Sequence, residues 1–476
     1  MDGRCVGRRE RPLELWRVFR GGVREAGPDI MSRFSHYLRE ARFTLTLAVP
    51  IIVGHLSQML MGVTDNVMVG WTGTVPLAGA SFGGNVFNVF FVFAIGLMVP
   101  VAILVSRSRG AGQPEECAEY LRHGVALAVG FGLLETLLMA ALSTQLWRFG
   151  QPPEVLAIVT PYFLMMAGSL APVLVYIVLR QYAEAMGHPW APMVIILLGV
   201  VVNAFLNWVF IYGNLGMPAL GLTGAGLSTL LARTLGAFLI YKWLQRDPQV
   251  RAAWPKRWFG GYSRERFGKM MQIGLPASGM LLFESSAFAA AGIMNGWLGA
   301  VPLAAHQIAI TCASLVFMVP LGLAIATGMR VSRALGSGAK DILRTIAFSS
   351  MGMAIAMMLT FTLAFRFGGS VIATWFVRDP AVIALAAQLL IVASLFQLFD
   401  GVQVIAASAL RGITDVRIPA LITLVAYWGV ALPLGYLLGI RGPYGAVGVW
   451  SALAGGLAFA AIFLTARYVR RTRLES

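Results

Sequence analysis

Twelve stretches of this chain are apolar for longer than the roughly twenty residues needed to cross about 30 Å of hydrocarbon. They fall near residues 44–71, 80–106, 122–146, 158–180, 192–213 and 219–243, then 270–297, 303–329, 345–367, 382–410, 417–440 and 444–467. Backbone amides in hydrocarbon must bond within their own segment or around a closed barrel. These runs are continuous and lack period-two alternation, which excludes a barrel. The pattern predicts an all-α membrane protein with twelve transmembrane helices. Composition agrees: 58% of the 476 residues are hydrophobic and 12% are charged, against about a quarter charged in soluble domains. Three cysteines, Cys5, Cys117 and Cys312, are too few and too scattered for a disulfide framework or a zinc site.

The net charge of +16 would suit a nucleic-acid binder, but its placement argues otherwise. With both termini cytoplasmic, inner segments hold 32 of the 37 Lys and Arg, and outer loops hold only Arg148, Arg366, Arg378 and Arg441. Arg233 lies within the sixth span. This is the positive-inside asymmetry that sets membrane orientation, so no nucleic-acid partner is expected. Residues 1–42 form a basic cytoplasmic extension without the apolar core of a secretory signal. Residues 1–30 read as a disordered extension or as translation from a start upstream of Met31.

The halves repeat. "MVGWTGTVPLA" (68–78) matches "MNGWLGAVPLA" (294–304) at a constant offset of 226 residues, which also pairs Pro50 with Pro276, Gly96-Leu97 with Gly322-Leu323, and "SRSRGAG" with "SRALGSG". Six spans per copy make the repeat parallel, with its axis along the membrane normal. The reading is a six-helix lobe at 43–243, a basic linker at 244–269, a second six-helix lobe at 270–468 and a tail at 469–476. Two facing bundles are a frame for alternating access, with substrate held between them.

Three carboxylates within these spans stand out: Asp65 in "MGVTDNVMVG", Glu284 in "MLLFESSAF" and Asp400 in "FQLFDGVQV". A charge at the bilayer centre costs about 2.5–3.5 kcal/mol on insertion scales, so such groups are functional candidates. In the fifth span, Asn203 and Asn207 share one helical face and can offer amide groups to a carboxylate or cation, or serve as interhelical glue. His55, His306 and Gln307 carry no assigned role, and Arg233 is expected to meet a carbonyl, snorkel or form a salt bridge. Gly54, Gly62 and Gly70 are expected to allow close helix packing, with a role as hinges the alternative. The chain has no H-E-x-x-H, P-loop or G-x-S-x-G pattern. It reads as a transporter driven by an ion gradient and not as an enzyme.

With "DNVMVGWTG", "NAFLNWVFIYG", "LLFESSAF…VPLAAHQIAITCASLVFMVPLGL", "FDGVQVIAASALRGITDVRIP" and "LPLGYLLG" in place, the chain resembles the multidrug and toxic compound extrusion (MATE) family, in its NorM-like branch, from about residue 40 to 468. The resemblance implies two pseudo-symmetric six-helix bundles in a V. It also implies export of cationic or amphipathic small molecules in exchange for Na⁺ or H⁺, without a resident cofactor. By motif, Asp65 resembles the first lobe's acidic residue, with Asn203 and Asn207 as partners, and Glu284 with Asp400 resembles the second lobe's cation site, where Na⁺ would bind transiently. One departure is Phe396, four residues before Asp400, where some relatives carry a tyrosine. A monomer in a bacterial-type inner membrane is expected. The alternatives are a related flippase for lipid-linked sugars, which needs a cationic cavity, and a membrane-embedded transferase, which needs catalytic groups at a membrane face.

Overall fold

The computed structural model describes residues 28–475, with side chains from Ser35 to Arg473; the extension at 1–27 lies outside the described residues. Twelve helices are long and apolar enough to cross a membrane: α1 Ser35–Gly70, α2 Thr74–Gly110, α3 Pro114–Ser143, α4 Pro153–Ala185, α5 Trp190–Tyr212 and α6 Gly221–Arg246, followed by α7 Arg264–Trp297, α8 Ala300–Gly336, α9 Lys340–Thr374, α10 Pro380–Gly412, α11 Arg417–Arg441 and α12 Gly445–Arg473. The predicted spans are all present. Most helices outrun their apolar runs by several residues at the end near the chain termini, where basic side chains reach past the hydrocarbon.

Local chemistry sets the boundaries. Ser263 caps α7 by accepting from the Arg266 amide at 3.4 Å, and Asp379 caps α10 by accepting from Ala381 N at 2.9 Å, with Pro380 as the first helical residue. Gly213, at φ +76°, ends α5 in the left-handed region open to glycine. The linker after α6 packs onto the helix ends. The Tyr182 hydroxyl donates to Ala253 O at 2.5 Å, and Arg122 donates to the Gly260 and Gly261 carbonyls, each at 2.9 Å.

The cores reveal the architecture. One buried cluster joins residues of both lobes, among them Ala48, Leu97 and Val101 with Met280, Leu323 and Val331. Farther from the termini the core divides. Phe87, Phe163 and Ile211 pack within the first lobe, while Phe365, Phe396 and Trp450 pack within the second. The lobes are therefore fused near the face where α1 begins and α12 ends, hereafter the terminal face, and separate beyond it.

The seam follows the repeat. Gly96 lies against the backbone of Ser278, and Gly322 lies against Ile52; Gly110 meets the backbone of Arg333, and Gly336 meets Arg107. Each pair maps onto its counterpart by the 226-residue offset. A Cβ at any of these four glycines would overlap the facing residue. Ser278 Oγ donates to Phe93 O at 2.7 Å and Ser332 Oγ to Ile103 O at 2.8 Å across the same seam. Arg330 of α8 bonds the carboxylate and carbonyl of Glu40 and, at 2.6 Å, Thr44 Oγ1, tying α8 to α1. Close packing was expected instead at Gly54, Gly62 and Gly70. Their Cβ positions meet nothing nearer than 3.7 Å, because Gly54 and Gly70 look onto side chains and Gly62 onto open space rather than onto a crossing backbone.

Candidate functional site

In the first lobe, three helices converge on Asp65. α5 presents Asn203 and Asn207 one turn apart, and α6 presents Thr229 and Arg233 with the same spacing. Asn207 Nδ2 donates to Asp65 Oδ1 at 2.6 Å and reaches Asn203 Oδ1 at 3.4 Å. Thr229 Oγ1 shares its proton between Asp65 Oδ2 at 3.4 Å and Ala225 O at 3.0 Å. Both asparagines are fully buried. Asn203 Nδ2 and Asn207 Oδ1 have no partner, so the cluster keeps an unused donor and an unused acceptor beside a half-buried carboxylate. Such groups are costly unless something else binds them part of the time.

Arg233 does not neutralise this site by a direct ion pair. Its Nη1 donates to Ser169 Oγ at 2.6 Å, and its guanidinium lies 5.1 and 5.5 Å from the ring centroids of Phe87 and Phe91. Ser169 occupies the break between the two segments of α4. Arg233 thus lends long-range positive potential to Asp65 while spending its hydrogen bond elsewhere.

In the second lobe, Glu284 from α7 and Asp400 from α10 interact electrostatically. Asp400 is 3% exposed, and its Oδ1 has no hydrogen-bond partner. Phe396 offers no hydroxyl and packs instead against Phe288 and Trp450, each at 5.8 Å between centroids. A hydroxyl arrives from another helix. Tyr427 of α11 is fully buried and faces both carboxylates, its oxygen short of a well-formed hydrogen bond. Tyr427 stands in a wide π-helical segment, Val425–Ala431. Pro433 follows, and its missing N–H leaves the Gly429 carbonyl without its usual donor; π turns often occur at functional sites. Arg411 lies within electrostatic range of Glu284. Among the described residues, none of Asp65, Glu284 and Asp400 is within 4.0 Å of a cationic nitrogen.

The five sequence-selected residues therefore form two clusters, one per lobe. Sequence reading missed Thr229, Tyr427 and Arg411. The first was legible in "STLLART", where Thr229 and Arg233 share a face. It also passed over Glu135 in "GLLETLL", which is 4% exposed with Oε2 unpartnered. His306 serves packing: Trp450 Nε1 donates to its Nδ1 at 3.2 Å.

The family model MatE matches this chain twice, at residues 50–209 and 276–437. The chain belongs to the MatE family. The two matches fall on the two lobes. The probable multidrug resistance protein NorM of Mesorhizobium japonicum is 34% identical over 449 residues, covering 92% of this chain and 95% of the relative. Multidrug resistance protein MdtK of Yersinia pestis is 32% identical over 440 residues, covering 90% and 95%. A structure described as the outward-facing conformation of a multidrug resistance MATE family transporter superposes with a TM-score of 0.84 at 22% identity, covering 92% of this chain and 97% of that one; at that identity it establishes the fold. This MatE protein is a multi-pass membrane transporter, not an enzyme.

Proposed function

We propose that the protein is a secondary antiporter of the inner membrane, with both termini cytoplasmic, exporting cationic or amphipathic drugs or metabolites in exchange for Na⁺ or H⁺ by alternating access. The observation that carries this reading is that, among the described residues, Asp65, Glu284 and Asp400 have no arginine or lysine nitrogen within 4.0 Å, while Asp400 Oδ1 and the Asn203 and Asn207 amides beside Asp65 keep unused hydrogen-bonding groups. A travelling cation or proton neutralises them in one state, and a cationic substrate takes advantage of the released charge in another. The coupling works because ion and drug favour different states, and their mutual effect on binding is reciprocal. Names of relatives such as NorM and MdtK support drug export. The acidic clusters favour it over a flippase, whose phosphate-bearing cargo would call for cations in those positions.

The test is efflux of a fluorescent cationic dye from proteoliposomes under an imposed Na⁺ gradient and, separately, an imposed pH gradient. Dye movement should follow one of them and stop when that gradient is collapsed. Movement indifferent to both overturns the antiport reading.

Tyr427 is proposed to contribute the hydroxyl that Phe396 lacks. Tyr427→Phe should weaken the apparent affinity for the driving ion by about tenfold, the scale of a hydrogen bond to a charged group. Drug affinity measured without a gradient should stay unchanged. Equal ion dependence in mutant and parent would remove Tyr427 from the site.

A further inference from the structure

A cavity of about 420 Å³ opens at the terminal face between the lobes, away from both carboxylate clusters. Its lining includes Arg109 from α2 together with Arg330 and Arg333 from α8, and also the aromatic side chains of Phe43 and Trp190. The acidic group in the lining, Glu184, already has Arg180 at 3.7 Å, and Arg330 is matched by Glu40. The surplus positive charge belongs to Arg109 and Arg333, which lie within electrostatic range of each other. Arg109 donates one bond to Ala185 O at 3.0 Å. The Arg333 side chain has no hydrogen bond or ion pair among the described residues.

A second, independent feature points into the same space. Ser106 lines the cavity, is 1% exposed, and its hydroxyl has no partner. Its repeat counterpart, Ser332, spends its hydroxyl across the seam on Ile103 O at 2.8 Å. The symmetry that would have satisfied Ser106 is broken at this cavity. Uncompensated cations and an orphan donor call for an anion. Meanwhile Phe43 and Trp190, 57% and 54% exposed, form an apolar lip at the helix ends, where a tryptophan suits the headgroup level.

We infer that this cavity holds the phosphate headgroup of an anionic lipid, its acyl chains running outward past Phe43 and Trp190. Basic pockets between helices on the cytoplasmic side suit such headgroups. The lipid would touch α1, α2 and α5 of one lobe and α8 of the other, and so would stabilise the closed seam at this face. The inference rests on the fold and on these side chains. It does not depend on which ion drives transport, and a detergent experiment does not depend on membrane orientation.

The test uses the purified full-length protein in detergent with equimolar phosphatidylglycerol and phosphatidylcholine, read by native mass spectrometry and by thermal unfolding. Phosphatidylglycerol should be retained preferentially and should raise the unfolding midpoint, whereas phosphatidylcholine should not. Arg333→Gln should lose about fivefold in phosphatidylglycerol retention, the contribution of one basic residue, and Arg333→Lys should keep most of it. In phosphatidylcholine alone, Arg333→Gln should unfold at the parent's midpoint, since that side chain holds no other element. If the variant cannot be purified, the lipid preference of the parent decides alone. Equal retention of the two lipids overturns the inference. So does a midpoint rise reproduced by inorganic phosphate, which would make this a free-anion site, or undiminished retention in Arg333→Gln.

Discussion

Asp65→Asn should leave the protein inserted and folded while lowering gradient-driven efflux by at least about thirtyfold, the scale of losing a close contact between the carboxylate and the cation proposed to bind there. The substitution keeps the shape of the side chain. Its amide oxygen can still accept from Asn207 Nδ2, now 2.6 Å from the carboxylate, and its amide can turn toward Thr229. What disappears is the negative charge that a cation or proton would neutralise. Arg233 would then keep its bonds to Ser169 and its place over Phe87, so no buried cation is abandoned. Efflux rates in proteoliposomes, normalised to inserted protein, provide the measurement. Full exchange in this variant would remove Asp65 from the coupling mechanism whatever the second lobe does.

Gly110→Ala and Gly336→Ala should open the terminal face. Each added methyl would overlap a backbone that cannot rotate away: that of Arg333 in the first case and of Arg107 in the second. Overpacking of this kind costs about 1–3 kcal/mol. The cost falls only on the closed seam, so the closed-to-open ratio drops by roughly fivefold to a hundredfold or more. A cysteine placed at Ser106, in a background without the native cysteines, should then react faster with a membrane-impermeant maleimide added at that face. Turnover should fall because one of the two end states is penalised. Unchanged labelling in both variants would mean that the seam does not gate this face.

Much of this architecture was legible because lipid leaves few options. Long apolar runs had to be helices, and a constant 226-residue offset with six spans per copy had to give a parallel repeat. The same penalty on buried charge exposed Asp65, Glu284 and Asp400, and four-residue spacing joined Asn203 to Asn207. Tyr427 stayed hidden because its position depends on a wide turn in α11 that a hydropathy pattern does not register, and because aromatic residues within spans are common. Glycine roles were misassigned for a related reason. Spacing along one helix says where a small residue lies, whereas only the crossing partner says whether its lack of a side chain matters; Gly62 faces open space and Gly336 faces a carbonyl.

The reciprocal glycine crossings lie on the seam between the lobes, whereas each acidic cluster is built from helices of a single lobe. On the proposed antiport cycle, breadth of cargo and speed of cycling are thereby encoded in different places. Changes along the inner walls of the arms can retune which molecules are accepted without touching the pivot, and changes at the pivot can retune the tempo without redrawing the cargo list. A lineage facing new toxins could adjust either property while leaving the other intact.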